Sequence, residues 1–354
     1  MAVLTEDQTM LRDMAREWAD NEAPVTAFRR MRDAKTVSGY DPELWQAQAG
    51  MGWAGIVVPE EHGGAGMGAL SLGLVLEQLG RTLTATPLAA SAAAAYAIVQ
   101  GGTDEQKANW LPRIASGEIV ATVAFDDGSV FTGRSDARVE AGRFTGTKPF
   151  VAEGDTASLF VVAASDGLYI VEAGDSVTRE HRSLVDARSH AAVRFDGASA
   201  DPLGAGEALV GKVADFAAAA AAAEMLGLAS AAFEITNDYL KTRVQFGQTL
   251  SSFQALQHRM AKMLTELELM RSAVEGSLEA VEAGSDARQA VSLAKAVAGE
   301  TAKLVSREMI QLHGGIGMTD EHDAGFYLKR SAVLEQMWGS AAWHRDRFAR
   351  LAGY

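Results

Sequence analysis

The sequence predicts an α+β fold in three segments, helical, then β, then helical, and three observations carry that prediction. Apolar residues recur at helical spacing through residues 1–118, at alternating spacing from Ile119 to about Val193 within the segment 119–206, and at helical spacing again through 207–354. The alternating runs are short and rich in β-branched residues, with Gly and Asp between them. The final segment, at about 140 residues, has the length of a four-helix bundle.

In chain order, Thr5-Glu6-Asp7-Gln8 reads as an N-cap with acids in the first turn, and Met10, Leu11, Met14, Ala15 and Trp18 then share one predicted helix face. The stretch from Val57 to Gly66, with Pro59, Gly63, Gly64 and Gly66, reads as a turn. Helical periods resume over Ser71–Leu83 and Ala89–Val99 and again from Asp104. Predicted strands cover Val120–Phe125, Arg143–Gly146, Ser158–Ala163 and Gly167–Val171. In the last segment, alanine fills every position from Ala217 to Ala223, followed by Gly227, Ala229, Ala231 and Ala232. Such a helix can approach its neighbours closely on almost every face, and it is predicted to lie buried in the middle of an oligomer.

Composition excludes several classes. The chain has 354 residues, a formal charge of -14, 48% hydrophobic residues and no cysteine. Its length allows a large core. The lack of Cys excludes a disulfide framework, a thiol nucleophile and a Cys-ligated metal site. The acidic balance argues against nucleic acid as a partner. Met1 to Gln8 carry no basic, then apolar, pattern of a signal peptide, and the apolar span Phe216–Ala223 ends at Glu224, so no membrane segment is predicted and a cytoplasmic location is expected.

Two motifs carry the chemistry. The predicted helix Asp286–Ile310 runs into Gln311-Leu312-His313-Gly314-Gly315-Ile316-Gly317-Met318, where glycines permit a sharp turn and let backbone N–H groups approach a ligand with no side chain between. Upstream, Arg243-Val244-Gln245-Phe246-Gly247-Gln248 is followed by Phe253-Gln254 and a new amphipathic helix. An arginine at such a break can clamp a pyrophosphate through two hydrogen bonds. Taken together, in this order and separation, Arg-x-x-Phe-Gly, Phe-Gln and Gln-x-x-Gly-Gly-x-Gly resemble the pattern of the flavin-dependent acyl-CoA dehydrogenases. Pro59-Glu60 through Gly66 resembles a further glycine loop of that family. The resemblance implies the acyl-CoA dehydrogenase fold: an N-terminal helical domain, a small central β-domain and a C-terminal four-helix bundle. It also implies FAD as cofactor, an acyl-CoA substrate and electron-transfer flavoprotein as the electron acceptor. Arg243, Phe246, Gln254, Gln311, Gly314 and Gly315 match the residues that in this family reach across a subunit interface to the ADP half of a neighbour's FAD.

The family's reaction needs a carboxylate base beside the thioester and a flavin with its reactive face open. Neither usual base position holds a carboxylate. Counting from the Gly-Gly pair places one at Trp338, and counting back from Arg243 places the other at Ala217. The flavin-ring segments depart as well: Ala124-Phe125-Asp126-Asp127-Gly128-Ser129 replaces Thr-Glu-Pro and the following Gly-Ser-Asp, and Ala152 stands at the ring-bonding Thr. The half of the cofactor site that serves a partner is present and the half that would serve this chain is not. In this the chain resembles the non-catalytic small subunits of heterotetrameric dehydrogenases of the pimeloyl-CoA and bacterial steroid side-chain type. An alternative is a complete homo-oligomeric enzyme with a displaced base, for which Glu224 is the first candidate and Glu335 and Asp215 follow. A second alternative is a flavin-free scaffold. His62, His181, His190, His258, His313, His322 and His344 show no paired helical spacing, so no metal site is predicted. Lys329 and Arg330, with Arg345, Arg347 and Arg350, are expected on solvated helix faces or at an interface.

Overall fold

A computed structural model describes residues 3–354 except 205 and 285. Helices α1 (Glu6–Glu22), α2 (Val25–Ala34), α3 (Pro42–Gly50), α4 (Gly68–Arg81), α5 (Leu88–Gly101) and α6 (Asp104–Ala115) come first. Strands β1 (Ala121–Ala124), β2 (Val139–Glu140), β3 (Arg143–Ala152), β4 (Leu159–Ala164), β5 (Gly167–Glu172), β6 (Val177–His181), β7 (His190–Ser199) and β8 (Asp201–Pro202) follow. The chain then forms α7 (Gly206–Thr242), the short strands β9 (Val244–Gln245) and β10 (Gln248–Thr249), and helices α8 (Gln254–Glu282), α9 (Arg288–His313), α10 (Ala324–Gln336) and α11 (Ala341–Leu351). Five helices therefore occupy the C-terminal segment among the described residues, two of them short.

The chain divides into two compact units. One comprises Thr26–Leu72 and Ala85–Ala220 and holds the β strands up to β8. Its sheets have the orders β1-β4-β5-β8 and β2-β3-β7-β6, with β1 parallel to β4. Phe144, Phe160 and Phe195 meet edge to face in the core between them. The predicted strands omit β2, β6, β7 and β8; β6, with four of its five residues exposed, lacks an apolar alternation. The Ser91 hydroxyl of α5 donates to the Ala121 carbonyl, anchoring the start of β1. The Val57–Gly66 stretch is the expected turn, and it closes on itself. Its Gly63, Gly64, Ala65 and Gly66 N–H groups donate to Glu60, Pro59, Gly55 and Val58, which leaves none of these four for a phosphate.

The other unit comprises Met1–Val25, Gly73–Thr84 and Ala221–Tyr354. Thr5 is the expected N-cap, and Gln8 completes a capping box with it. The buried face of α1 is Leu11, Ala15 and Ala19, however, and Met10 and Met14 lie exposed, which corrects the predicted face. The apolar stripe follows the i, i+4, i+8 spacing of the small alanines, which allow the closer approach. Helix α9 packs against α8, α10 and α11. Ala217 to Ala223 are all buried within this one chain, so their burial needs no oligomer. By length and composition α7 could cross a membrane, but 94% of its most apolar window is buried inside the protein, as in a core helix. Arg330 also departs from expectation. It is 11% exposed and paired with Glu224, whereas Lys329 is exposed.

Candidate functional site

The Arg243 motif forms a β-hairpin at the end of α7. β9 pairs antiparallel with β10, and the two loop residues Phe246 and Gly247 have φ of 54° and 78°. Positive φ at both loop positions is the geometry of the two-residue hairpin turn, which favours Gly or Asn rather than an aromatic. Phe246 therefore holds a strained backbone of order 1–3 kcal/mol while its ring is 89% exposed, with an edge-on contact to Phe253. Arg243, Gln254 and Gln311 are exposed as well.

The glycine motif ends α9 and turns through Gly314–Met318. Gly314, at φ 65° and ψ -137°, has a backbone open only to glycine, and a Cβ added at Gly314 or Gly315 would meet nothing within 4 Å. The turn thus presents bare backbone to its surroundings. At Gly317 the requirement is internal, since a Cβ there would come within 2.8 Å of the Ile310 carbonyl.

Both motifs meet at one end of the helices. The Tyr239 hydroxyl donates to the His313 carbonyl at 3.3 Å, the two rings stack at 4.3 Å, and the Arg243 N–H donates to the Tyr239 carbonyl one turn on. His313 lies 4.4 Å from the His322 ring. These histidines lie nine positions apart, outside any helical pairing rule, so only the tertiary structure brings them together.

The two positions at which the resemblance expects a base behave differently. Ala217 is a buried methyl group on α7. Trp338 lies in the turn between α10 and α11 with φ 59°, and two basic groups hold that turn. The Lys295 amine on α9, wholly buried, donates to the carbonyls of Glu335 and Gly339 at 3.1 and 2.8 Å, and His344 Nε2 donates to the Trp338 carbonyl at 2.8 Å. Burial lowers the Lys295 pKa from 10.5 to about 7, against the pull of Glu335, and burial with Lys295 nearby lowers His344 to about 3. A neutral amine has two N–H donors, and they match the two carbonyls.

This arrangement has a measurable sign. Between about pH 7 and 10.5 an unfolded lysine keeps its proton while folded Lys295 does not, so the unfolded state binds more protons and stability rises with pH. Urea unfolding is expected to show a rise of up to about 1 kcal/mol per pH unit across the lower part of that window. Lys295→Met is expected to flatten it.

Glu224, the first candidate for a displaced base, is engaged elsewhere. Its two carboxylate oxygens accept from Arg330 Nε and Nη2 at 2.7 and 2.8 Å, and both side chains are about nine-tenths buried. A carboxylate held by a guanidinium through two bonds is stabilised in its charged form and is a weak proton acceptor. Glu335 accepts from the Ala341 N–H at the start of α11. Asp215 is buried beside Tyr96, whose hydroxyl pKa is raised by burial and then by Asp215.

The segments that the resemblance sets against the flavin-ring loops are closed by their own side chains. Asp126 accepts from the Thr132 N–H and hydroxyl at 2.7 and 3.0 Å. Asp127 accepts from the N–H groups of Asp136 and Ala137, from Ser135 and from Lys148. Lys148, 1% exposed, also donates to the Phe125 and Ala163 carbonyls. Burial pushes the Lys148 pKa down, and the Asp127 bond only partly offsets this. For the more exposed Asp127 the burial effect is outweighed, and its pKa falls below the usual carboxylate range. The Ala152 carbonyl accepts from the Thr122 hydroxyl, and the next residue, Glu153, is buried with φ 57°. Sequence reasoning located this loop but not its closure, because the bonds depend on the loop folding back so that Thr132, Ser135, Asp136 and Ala137 meet Asp126 and Asp127, with Lys148 reaching in from β3.

The "Acyl-CoA dehydrogenase, N-terminal domain" model matches residues 5–118, and the "Acyl-CoA dehydrogenase, C-terminal domain" model matches residues 204–352. Acyl-CoA dehydrogenase IpdE2 of Mycolicibacterium smegmatis is 33% identical over 349 residues, covering 98% of both proteins. Among solved structures, a Tcur3481-Tcur3483 steroid ACAD variant superposes with a TM-score of 0.92 at 32% identity, over 98% of both chains. The ChsE4-ChsE5 complex from Mycobacterium tuberculosis gives a TM-score of 0.92 at 26% identity over the whole of both chains. With both domain models matched and a relative of this identity along nearly its full length, the chain belongs to the acyl-CoA dehydrogenase family.

Proposed function

We propose that this chain is the non-catalytic subunit of an FAD-dependent acyl-CoA dehydrogenase, supplying the ADP-side wall of a catalytic partner's cofactor site. The family's chemistry is oxidoreduction at a CH–CH bond, and FAD, when bound, accepts the hydride. One observation carries the reading: the residues suited to a partner's FAD are exposed on this chain, and the loops that would hold a flavin ring of its own are filled. Arg243 is available to bind the pyrophosphate through its guanidinium, and Gly314 and Gly315 offer a turn without side chains against which a nucleotide can lie. Exposed Gln311, Gln254 and the Phe246 ring complete that surface. In the β-rich unit, the N–H groups of Thr132, Asp136 and Ala137 are taken by Asp126 and Asp127, so these residues do not fit a second flavin. We assign residues 1–118, 119–206 and 207–354 as N-terminal helical, β and C-terminal helical domains, with the cofactor contacts and oligomerisation in the last.

The chain itself then removes no proton from the substrate. Trp338 and Ala217 cannot accept one, and Glu224 is held by Arg330. Similarity to two protein pairs, Tcur3481-Tcur3483 and ChsE4-ChsE5, supports a heteromeric assembly. The substrate class is an acyl-CoA thioester, and the steroid ACAD among the similar structures favours a ring-bearing acyl group. Electron-transfer flavoprotein is the proposed acceptor for the complex.

Flavin content tests the reading. The chain purified alone is expected to be colourless, and co-production with a catalytic acyl-CoA dehydrogenase subunit is expected to give a heterotetramer with about one FAD for every two chains. A yellow lone chain that oxidises an acyl-CoA would instead establish the homo-oligomeric enzyme, and a colourless pair would favour the scaffold. Glu224→Gln separates the roles of that residue. Breaking a largely buried ion pair costs about 3 kcal/mol, so the variant is expected to melt earlier while turnover per folded complex is unchanged.

A further inference from the structure

We infer that His313 is a positioning residue that registers the Arg243 hairpin against the Gly314–Met318 turn, and that it does so only as a neutral imidazole protonated on Nδ1. The inference rests on the subunit reading for its consequence, and on this chain's own geometry for its substance. His313 is the last residue of α9 and is 3% exposed. Its Nδ1 lies 2.7 Å from the Met309 carbonyl, an acceptor only, so the proton sits on Nδ1. Nε2 then carries the lone pair, and it is buried without a hydrogen-bond partner among the described residues.

The ring is gripped from two further elements. Tyr239 of α7 stacks on it at 4.3 Å and donates its hydroxyl to the His313 carbonyl. His322, in the segment before α10, lies against it at 4.4 Å, and its own Nδ1 accepts the Ala324 N–H. From Tyr239 the linkage continues to Arg243, whose N–H donates to the Tyr239 carbonyl and whose carbonyl accepts the Leu250 N–H at the base of the hairpin. On the other side, the next residue is Gly314, and Gly317 closes against His313 Cβ, which an added Cβ would approach to 3.0 Å. One imidazole thus separates the end of α7, which carries the proposed pyrophosphate clamp, from the turn proposed to lie along the nucleotide.

The groups facing this ring are Tyr239 from α7, His322 from the loop, and the Met309 carbonyl of its own helix. A second proton on Nε2 would need an acceptor at a buried atom and would set a positive charge against His322. Burial first, and His322 with it, moves the His313 pKa below the ordinary histidine value, against the Met309 bond. Acid should therefore loosen the registration, at a pH below that of an exposed histidine.

The test uses both the lone chain and the complex with a catalytic subunit. In the lone chain, His313→Ala is expected to speed hydrogen–deuterium exchange at least ~5-fold in both the 244–250 hairpin and the 314–318 turn, with helical circular dichroism retained. In the complex, the same variant is expected to weaken FAD retention about 10-fold, measured by equilibrium flavin fluorescence. His313→Phe, which keeps the ring without a titrating nitrogen, should bind FAD within ~3-fold of wild type near neutral pH. It should also abolish the extra FAD loss that wild type shows on acidification below the range in which an exposed histidine titrates. Unchanged exchange at the hairpin in His313→Ala, or an acid response retained in His313→Phe, would overturn the assignment. A wild-type complex that takes up no FAD would overturn the subunit reading instead, and the exchange experiment would still decide the registration.

Discussion

Arg243→Ala is expected to strip FAD from the complex with a catalytic subunit while leaving this chain folded. A guanidinium bound through two charge-assisted hydrogen bonds contributes about 2–3 kcal/mol, so FAD affinity should fall ~30- to 150-fold, read by flavin retained per complex after dialysis. Arg243 is exposed just beyond the last turn of α7, and its removal takes nothing from the core. Arg243→Lys should recover only part of the loss, because an ammonium cannot reproduce the planar fork. Full FAD content in the alanine variant would remove the pyrophosphate clamp from the proposal, and with it the main argument for a shared site.

Gly227→Ala is expected to prevent the chain from folding or to lower its stability by more than about 3 kcal/mol. A Cβ at Gly227 on α7 would lie 1.7 Å from the Glu77 carbonyl oxygen on α4. The contact is reciprocal, since a Cβ at Gly80 on α4 would lie 2.3 Å from the Glu224 carbonyl oxygen on α7. The two helices thus touch backbone to backbone, and a methyl group can be admitted only by moving one of them. That movement would also disturb the Glu224–Arg330 and Glu77–Arg271 ion pairs, which begin on the same turns. Gly276→Ala on α8 is the control. Nothing lies within 4 Å of its Cβ, and the change should stabilise the helix by about 0.5–1 kcal/mol. Thermal melts of the two variants check both expectations, and equal melting temperatures would refute the crossing argument.

Much of the architecture was legible in the chain itself. The change from helical to alternating period near residue 119 marks the entry into strands, because a period of two and a period near 3.6 cannot serve the same secondary structure. The N-cap at Thr5 was legible because its bonds are local. At α1 the reading failed. Met10 and Met14 are more apolar than Ala15 and Ala19, yet the alanines face inward, since closeness of approach rather than hydrophobicity selected the face.

The sequence by itself determined the residue types in each motif, with Arg243, Gln311, Gly314 and Gly315 present and no carboxylate at Trp338 or Ala217, and with them the resemblance to the family, because these are statements about residue type at a spacing. Only the tertiary structure decided the rest. It placed His313 between Tyr239 and His322, engaged Glu224 with Arg330, closed the Asp126–Asp136 loop on its own carboxylates, and set Lys295 and His344 on the carbonyls of the Trp338 turn. Each of these joins groups distant in the chain, aims a side chain at a particular carbonyl, or folds a loop back onto its own carboxylates. The energy of a hydrogen bond or an ion pair depends on distance, angle and burial, none of which is encoded in the spacing of residues along one strand or helix.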